Sequence, residues 1–213
     1  MDGMGRGALV TFEGIEGAGK STQMELLAER LRAAGREVLS VREPGSTELG
    51  EGLRSLLKKK GTQICAEAEL LLFLASRAQL VRERILPAIE FGSIVLCDRY
   101  SDSTAAYQWG ARNLPLEAVR ELDRFASADC VPERTILLDL PPEEGFRRIR
   151  IARGGPTDRF EEESLAFFEK VRAAYLHIAR ENPRRISIVD ASQPPEAVGL
   201  AVAGALAELL HRT

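Results

Sequence analysis

The sequence predicts an α/β fold in which a single open, parallel sheet of five strands carries helices on both faces. Five short aliphatic runs show little alternation of apolar and polar residues, the pattern of strands covered on both sides. Longer segments of helical period lie between them, and regular alternation of strand and helix demands βαβ crossovers. At 213 residues the chain is long enough for one α/β domain with a well-buried core. No linker, repeat or low-complexity stretch divides it, so one domain over 1–213 is expected.

The elements follow in order. The run ALVTFE (8–13) reads as the first strand, and the glycine-rich GIEGAGKST (14–22) comes directly after it. A helix from Ser21 to Ala34 carries Met24, Leu27, Ala28 and Leu31 on one stripe and stops at Gly35, a usual terminator. EVLSV (37–41) is the second strand. The segment from about Ala66 to Glu90 reads as a helix with Ala68, Leu71, Leu72 and Ala75 on its apolar face. IVLCD (94–98) is the third strand and leads into another helix. TILLDL (135–140) and ISIVD (186–190) complete the set, among helical patterns at Leu116–Ala126, Glu143–Arg153, Ser164–Arg180 and Pro195–Leu210. Gly154, Gly155 and Pro156 interrupt two of these patterns within ARGGPTDRF (152–160). A charged break between helices reads either as a lid or as a plain surface loop.

Composition excludes several classes. A net charge of -3 argues against a general affinity for nucleic acid or anionic lipid, so any bound anion must be held by local charge. That charge is mostly arginine, with 24 Arg against 5 Lys, and the bias makes accidental arginine clusters common. Cys65, Cys97 and Cys130 form an odd set without metal-type spacing, and Cys97 sits inside an apolar strand as a small hydrophobe. No run approaches the ~20 apolar residues that span a bilayer, and no signal-type segment is recognisable. A cytoplasmic protein is expected.

Chemistry enters with Gly14, Gly19, Lys20 and Ser21, which match G-x-x-x-x-G-K-[ST] between a strand and a helix. Glycines let the backbone of Gly14, Ile15, Glu16, Gly17, Ala18 and Gly19 curl so that its N–H groups converge on phosphate oxygens. Lys20 supplies a point charge, Ser21 a ligand for Mg2+, and Ser21–Thr22 open a helix whose positive dipole end faces the phosphates. The pattern predicts ATP with Mg2+ on a P-loop NTPase fold. No N-K-x-D base reader of GTPases is present, nor the second loop lysine of partition ATPases, which leaves transfer to a small acceptor.

Three further clusters bear on the acceptor. Arg42 in VREPGST (41–47) follows the second strand, where parallel sheets bind ligands. Its fork suits a phosphate, but a Pro-Gly turn flanked by solvated charges accounts for the sequence equally well. Phe73 and Arg77 lie at i,i+4 and could stack on a base and bond its edge, although the residues alone favour a core Phe and a surface Arg. Asp98 and Arg99 end a buried strand, the usual place for an acid acting on Mg2+ and a group at the crevice. Thr104, Tyr107 and Gln108 share one face of the next helix.

Taken in order and spacing, FEGIEGAGKSTQ, REPGST, F-L-A-S-R, DRYSDSTAAYQ and DRFE resemble the thymidylate kinase family from about residue 8 to the last helix. The resemblance implies transfer of the γ-phosphoryl group of ATP to dTMP, a homodimer packed through helices, and strand order 2-3-1-4-5. It places Phe73 on thymine, Arg77 at its O4, and Arg42 and Arg99 on the dTMP phosphate. Ser103 and Thr104 come near the base, Gln108 near its edge, and Tyr107 under the sugar. Glu16 takes the position of a family acid near the acceptor 3′-hydroxyl or Mg2+-bound water.

Phosphoryl transfer needs positioned positive charge, and one arginine can be worth ~10³–10⁵ in rate. Some thymidylate kinases carry that arginine in the loop, where this chain has Gly17; others carry it in the lid. A lid at about 147–160 offers Arg147, Arg148, Arg150, Arg153 and Arg159. Arg153 and Arg159 flank the Gly-Gly-Pro break and can best move with it, which points to Arg153 for transition-state charge and Arg148 or Arg150 for the stem or the adenine side. Two rivals remain at this point. One is a kinase for another nucleoside monophosphate or a deoxynucleoside; the other is a switch that hydrolyses ATP slowly.

Overall fold

Ala8–Glu13 forms β1, Val38–Arg42 β2, Ile94–Asp98 β3, Arg134–Asp139 β4 and Ile186–Asp190 β5. A computed structural model describes residues 7–153, 159–160 and 163–212, without the side chains of 152, 153, 211 and 212. The strands pair in parallel in the order β2-β3-β1-β4-β5, the order the family resemblance implies. β2 and β4 are each shifted by one residue from the expected bounds. The helices are α1 (Lys20–Ala33), α2 (Glu48–Lys58), α3 (Ala66–Leu80), α4 (Leu86–Glu90), α5 (Ser101–Thr104), α6 (Leu116–Ser127), α7 (Pro142–Arg153), α8 (Leu165–Glu181) and α9 (Pro195–Arg212).

Pleating sends Val10 and Phe12 of β1 to one face, where they join Leu96 and Ile136 and pack with residues of α1, α8 and α9. Leu9 points the other way with Val41, Val95 and Cys97, onto Leu80, Val81, Ile85 and Ile89. Burial on both faces is the physical reason the inner strands β1, β3 and β4 read as continuous apolar runs, whereas the edge strands β2 and β5 are only partly buried.

Three differences from the sequence reading have physical causes. The helix α2 was not anticipated, because Gly50 and Gly52 weaken its pattern; Thr47 starts it by accepting from the Gly50 N–H at 3.0 Å. The expected run 66–90 is helical throughout but passes through a π turn at Val81–Ile85 between α3 and α4. Pro87 follows that turn and can offer no N–H to the carbonyl four residues back. On α3 the buried stripe is Leu70, Leu74, Arg77 and Leu80, whereas Leu71 is 54% exposed and Ala75 is exposed too. The expected Ala68–Leu71–Leu72–Ala75 face is therefore not the core face.

Every strand ends on a charged residue: Glu13, Arg42, Asp98, Asp139 and Asp190. β1 lies between β3 on one side and β4 on the other, and the strand order reverses there, a switch point at which open α/β sheets form a ligand crevice.

Candidate active site

Above the carboxyl ends of β1, β2 and β3 lies a cleft of about 850 Å³. One wall is the loop from Glu16 to Thr22. Gly14 and Ile15 lie beneath that wall and contribute carbonyls: Lys20 Nζ donates to Gly14 O at 3.1 Å and Ile15 O at 2.9 Å. Lys20 is buried, and burial, with Arg99 close by, pushes its ammonium down to about 8. At the first turn of α1, Ser21 Oγ donates to Asp98 Oδ2 at 2.9 Å, so a hydroxyl and a carboxylate meet at the cleft floor.

The loop also packs on α7. A Cβ at Gly17 would lie 2.5 Å from Gly145 O, and one at Gly145 would lie 2.6 Å from Glu16 O. The two backbones touch, so position 17 has no room for any side chain, and its φ of +77 disfavours one as well.

Arg99 sits in the middle of the site with φ +70. Its Nη2 donates to Glu16 Oε1 at 2.8 Å, and its Nη1 donates to Ser103 Oγ and Tyr175 OH, both at 3.2 Å. Tyr107 donates its hydroxyl to Glu16 Oε2 at 2.7 Å and lies under the Arg99 guanidinium, 5.1 Å from ring centre to Cζ. Behind Arg99 is Glu13, fully buried, which accepts from Tyr100 N (2.7 Å), Ser103 Oγ (2.5 Å) and Tyr175 OH (3.0 Å). Burial, reinforced by Asp102, pushes its carboxyl up to about 7. The sequence reading missed Glu13 and Tyr175. Glu13 ends a buried strand as Asp98 does, and the same argument would have found it; Tyr175 lies on the core stripe of α8 and carried no signal.

Arg77 is 2% exposed rather than a surface charge. Its Nε and Nη2 donate to Glu43 Oε2 at 2.8 and 2.6 Å, and its Nη1 donates to Thr104 Oγ1 at 2.9 Å and to Asp123. Four of the five guanidinium donors are thus used, leaving one on Nη2. Burial pushes the Glu43 carboxyl up to about 6 against the pull of Arg77. Phe73 and Gln108 line the same end of the cleft, where Phe73 meets Phe160 with ring centres 5.8 Å apart. Gln108 Nε2 donates to the buried Glu69 at 2.9 Å. Arg42 also lines the cleft, and its Nη2 donates to both oxygens of Glu51 at 3.1 Å.

Of the lid arginines, Arg147 and Arg148 line the cleft and both hold Glu144, at 2.6 and 2.8 Å. Arg150 is exposed. The Arg153 side chain and residues 154–158 lie outside the described residues. Arg159 does not have the freedom its position suggested, because it donates to Leu57 O at 2.9 Å and to Glu69 Oε2 at 2.5 Å.

The parallel sheet, the glycine loop at its switch point and the second, base-sized end of the same cleft define a class: P-loop nucleoside monophosphate kinases. Residues 12–201 match the family model described as Thymidylate kinase. A thymidylate kinase of Thermomicrobium roseum is 51% identical over 203 residues, covering 95% of this chain and 96% of that protein. Those of Pseudomonas putida strain W619 and Desulfovibrio desulfuricans are each 47% identical, over 95% of this chain and 98% and 96% of theirs. The chain belongs to the thymidylate kinase family.

Proposed function

We propose that this chain transfers the γ-phosphoryl group of ATP to dTMP, giving dTDP and ADP. The observation that carries the reading is the continuity of the cleft. The glycine loop and the Phe73–Arg77–Gln108 end open on one space, and Arg99 joins them by touching Glu16 on the loop and Ser103 beside Arg77's partner Thr104.

The donor phosphates lie on the N–H groups of residues 14–22 and on Lys20, with Arg148 on the nucleotide side. Burial and Arg99 lower the Lys20 ammonium to about 8, which leaves it mostly charged at pH 7, and an incoming phosphate favours that charged form further. Ser21 and Asp98 are hard oxygen ligands 2.9 Å apart, and they suit Mg2+, which keeps waters and phosphate oxygens for most of its shell. When bound there, the ion neutralises charge on the β/γ oxygens.

On the acceptor side Arg99 and Arg42 hold the phosphate, Arg42 by sharing or leaving Glu51. Phe73 stacks on thymine, Arg77 turns its remaining Nη2 hydrogen to O4, and Ser103, Thr104 and Gln108 surround the base. Tyr107 lies under the sugar, and Glu16, held by Arg99 and Tyr107, faces the 3′-hydroxyl side. Residues 147–160 act as a lid on the single domain, with Arg153 carrying transition-state charge. The enzyme works as a cytoplasmic homodimer without nucleic acid. Among the described residues no helix is long and apolar enough to cross a membrane.

ATP consumption measured with dTMP, dCMP, dGMP and thymidine in turn tests the reading. Turnover that depends on dTMP and is much weaker with the others is expected. ATP hydrolysis that ignores the acceptor would overturn it.

A further inference from the structure

Glu69 is 1% exposed and lies one helical turn before Phe73 on α3. Four donated hydrogen bonds converge on it. Arg112 reaches Oε1 through Nε at 3.2 Å and Oε2 through Nη2 at 3.3 Å, Arg159 reaches Oε2 at 2.5 Å, and Gln108 Nε2 reaches Oε1 at 2.9 Å. None of these contacts supplies chemistry, yet together they tie α3, the π turn at Ala105–Ala111, and the residues after the Gly-Gly-Pro break into one knot at the base end of the cleft.

A carboxylate between two guanidinium groups accepts and does not donate. Only the NH2 end of the Gln108 amide can therefore face Glu69, which fixes an orientation that the shape of an amide leaves ambiguous. Gln108 lines the cleft, and with its nitrogen turned away the carbonyl oxygen is the end left for a ligand. An acceptor there matches a ring N–H. Thymine and uracil present such a donor at N3, whereas cytosine presents a lone pair at the same place. Arg159 has a second effect. Anchored on Glu69 and on Leu57 O, it stacks on Phe160 with Cζ 4.5 Å from the ring centre, and Phe160 meets Phe73 at 5.8 Å and Tyr107 at 6.5 Å.

We propose that Glu69 is a positioning residue for base selectivity: it turns the Gln108 oxygen toward the base N3–H and, through Arg159, seats Phe160 on the aromatic wall of the pocket. The proposal rests on the base lying at the Phe73 end, as the proposed function has it. It also separates Arg159 from the lid arginines that serve the transferring phosphoryl group.

The test uses the full chain and kcat/KM for dTMP, dUMP and dCMP. In Glu69→Gln the side chain facing Gln108 can donate as well as accept, so the amide is no longer held one way. The preference for dTMP over dCMP should fall about tenfold or more, while the ratio of dTMP to dUMP, which share the N3–H, stays as in the parent. An unchanged dTMP-to-dCMP ratio in a variant whose melting curve shows it folded overturns the proposal. Arg159→Met keeps Glu69 paired with Arg112 and covers the case in which Glu69→Gln fails to fold. The KM for dTMP should rise by more than kcat falls; a loss confined to kcat, or no change, overturns the proposal. If the parent chain fails to turn over dTMP at all, the reading of the base site falls first and this inference falls with it.

Discussion

Glu13 occupies the centre of the sheet's carboxyl edge, and its proton makes a pH prediction possible. Its carboxyl is pushed from an ordinary 4.5 up to about 7, and Glu43 to about 6. Between those limits the folded chain holds protons that the unfolded chain releases. Their contribution to stability is complete below the unfolded value and is lost as pH rises through the folded one. The protein should therefore lose melting temperature from about pH 5 to about pH 8, and Glu13→Gln should lose less over the same range. Parallel pH profiles for the two proteins would remove Glu13 as a source. A second prediction concerns catalytic charge. Arg153→Met should lower kcat by ~10³ or more with dTMP affinity nearly intact, as expected for a group that acts only in the transition state. A small effect on kcat moves that role to Arg148 or Arg150. At this scale the sequence told only part. Motif spacing located Lys20, Ser21, Asp98 and Arg99, but composition made Arg77 look like a surface charge, because its three acidic or hydroxyl partners come from positions 43, 104 and 123 and only the fold assembles them.

The contact between the phosphate loop and α7 belongs to the scale of elements. Gly17 and Gly145 let the two backbones touch, and this sets where Arg147 and Arg148 emerge over the cleft. Gly145→Ala would place a methyl group 2.6 Å from Glu16 O, a backbone atom that can yield only if the loop or the helix shifts. A displacement near 1 Å at a positioning element can cost ~10² in rate. The variant should lose about that much in kcat/KM for ATP while keeping most of its melting temperature, because the added methyl meets the phosphate loop rather than the core between sheet and helices. A variant as active as the parent would show that the contact does not position the arginines. The same contact supplies a physical reason for the absence of an arginine at position 17. Most elements were legible because strands buried on both faces and helices of regular stripe leave strong local patterns. The helix α2 was not, since two glycines mask it. The true stripe of α3 was not either, since it contains Glu69, Ser76 and Arg77, whose burial depends on partners far along the chain.

At the scale of the whole molecule, three neighbouring helices present apolar side chains to solvent, as Phe91, Ile151 and Leu200 do elsewhere on the surface. Leu49 and Leu56 of α2, Leu71 of α3, and Leu122 and Phe125 of α6 are 50%, 43%, 54%, 39% and 80% exposed, on helices that pack side by side as α2 against α3 and α3 against α6. The sequence reading took Leu71 for core, but the chain leaves it 54% exposed. Covering a Leu or Phe side chain fully is worth ~1.5–3 kcal/mol, so these helices are the expected place for the homodimer contact, with the cost of association set against that gain. Such a contact would also brace α3 from behind, and α3 carries Phe73 and Arg77 on the cleft side. The double variant Leu71→Glu with Phe125→Glu places charges where the two copies would meet, and both positions already face solvent in the single chain. Light scattering should find the parent at twice the chain mass and the double variant at the chain mass, with a helical spectrum unchanged between them. The monomer should bind dTMP more weakly, because α3 loses its support. A double variant that remains dimeric would move the interface to another face of the molecule.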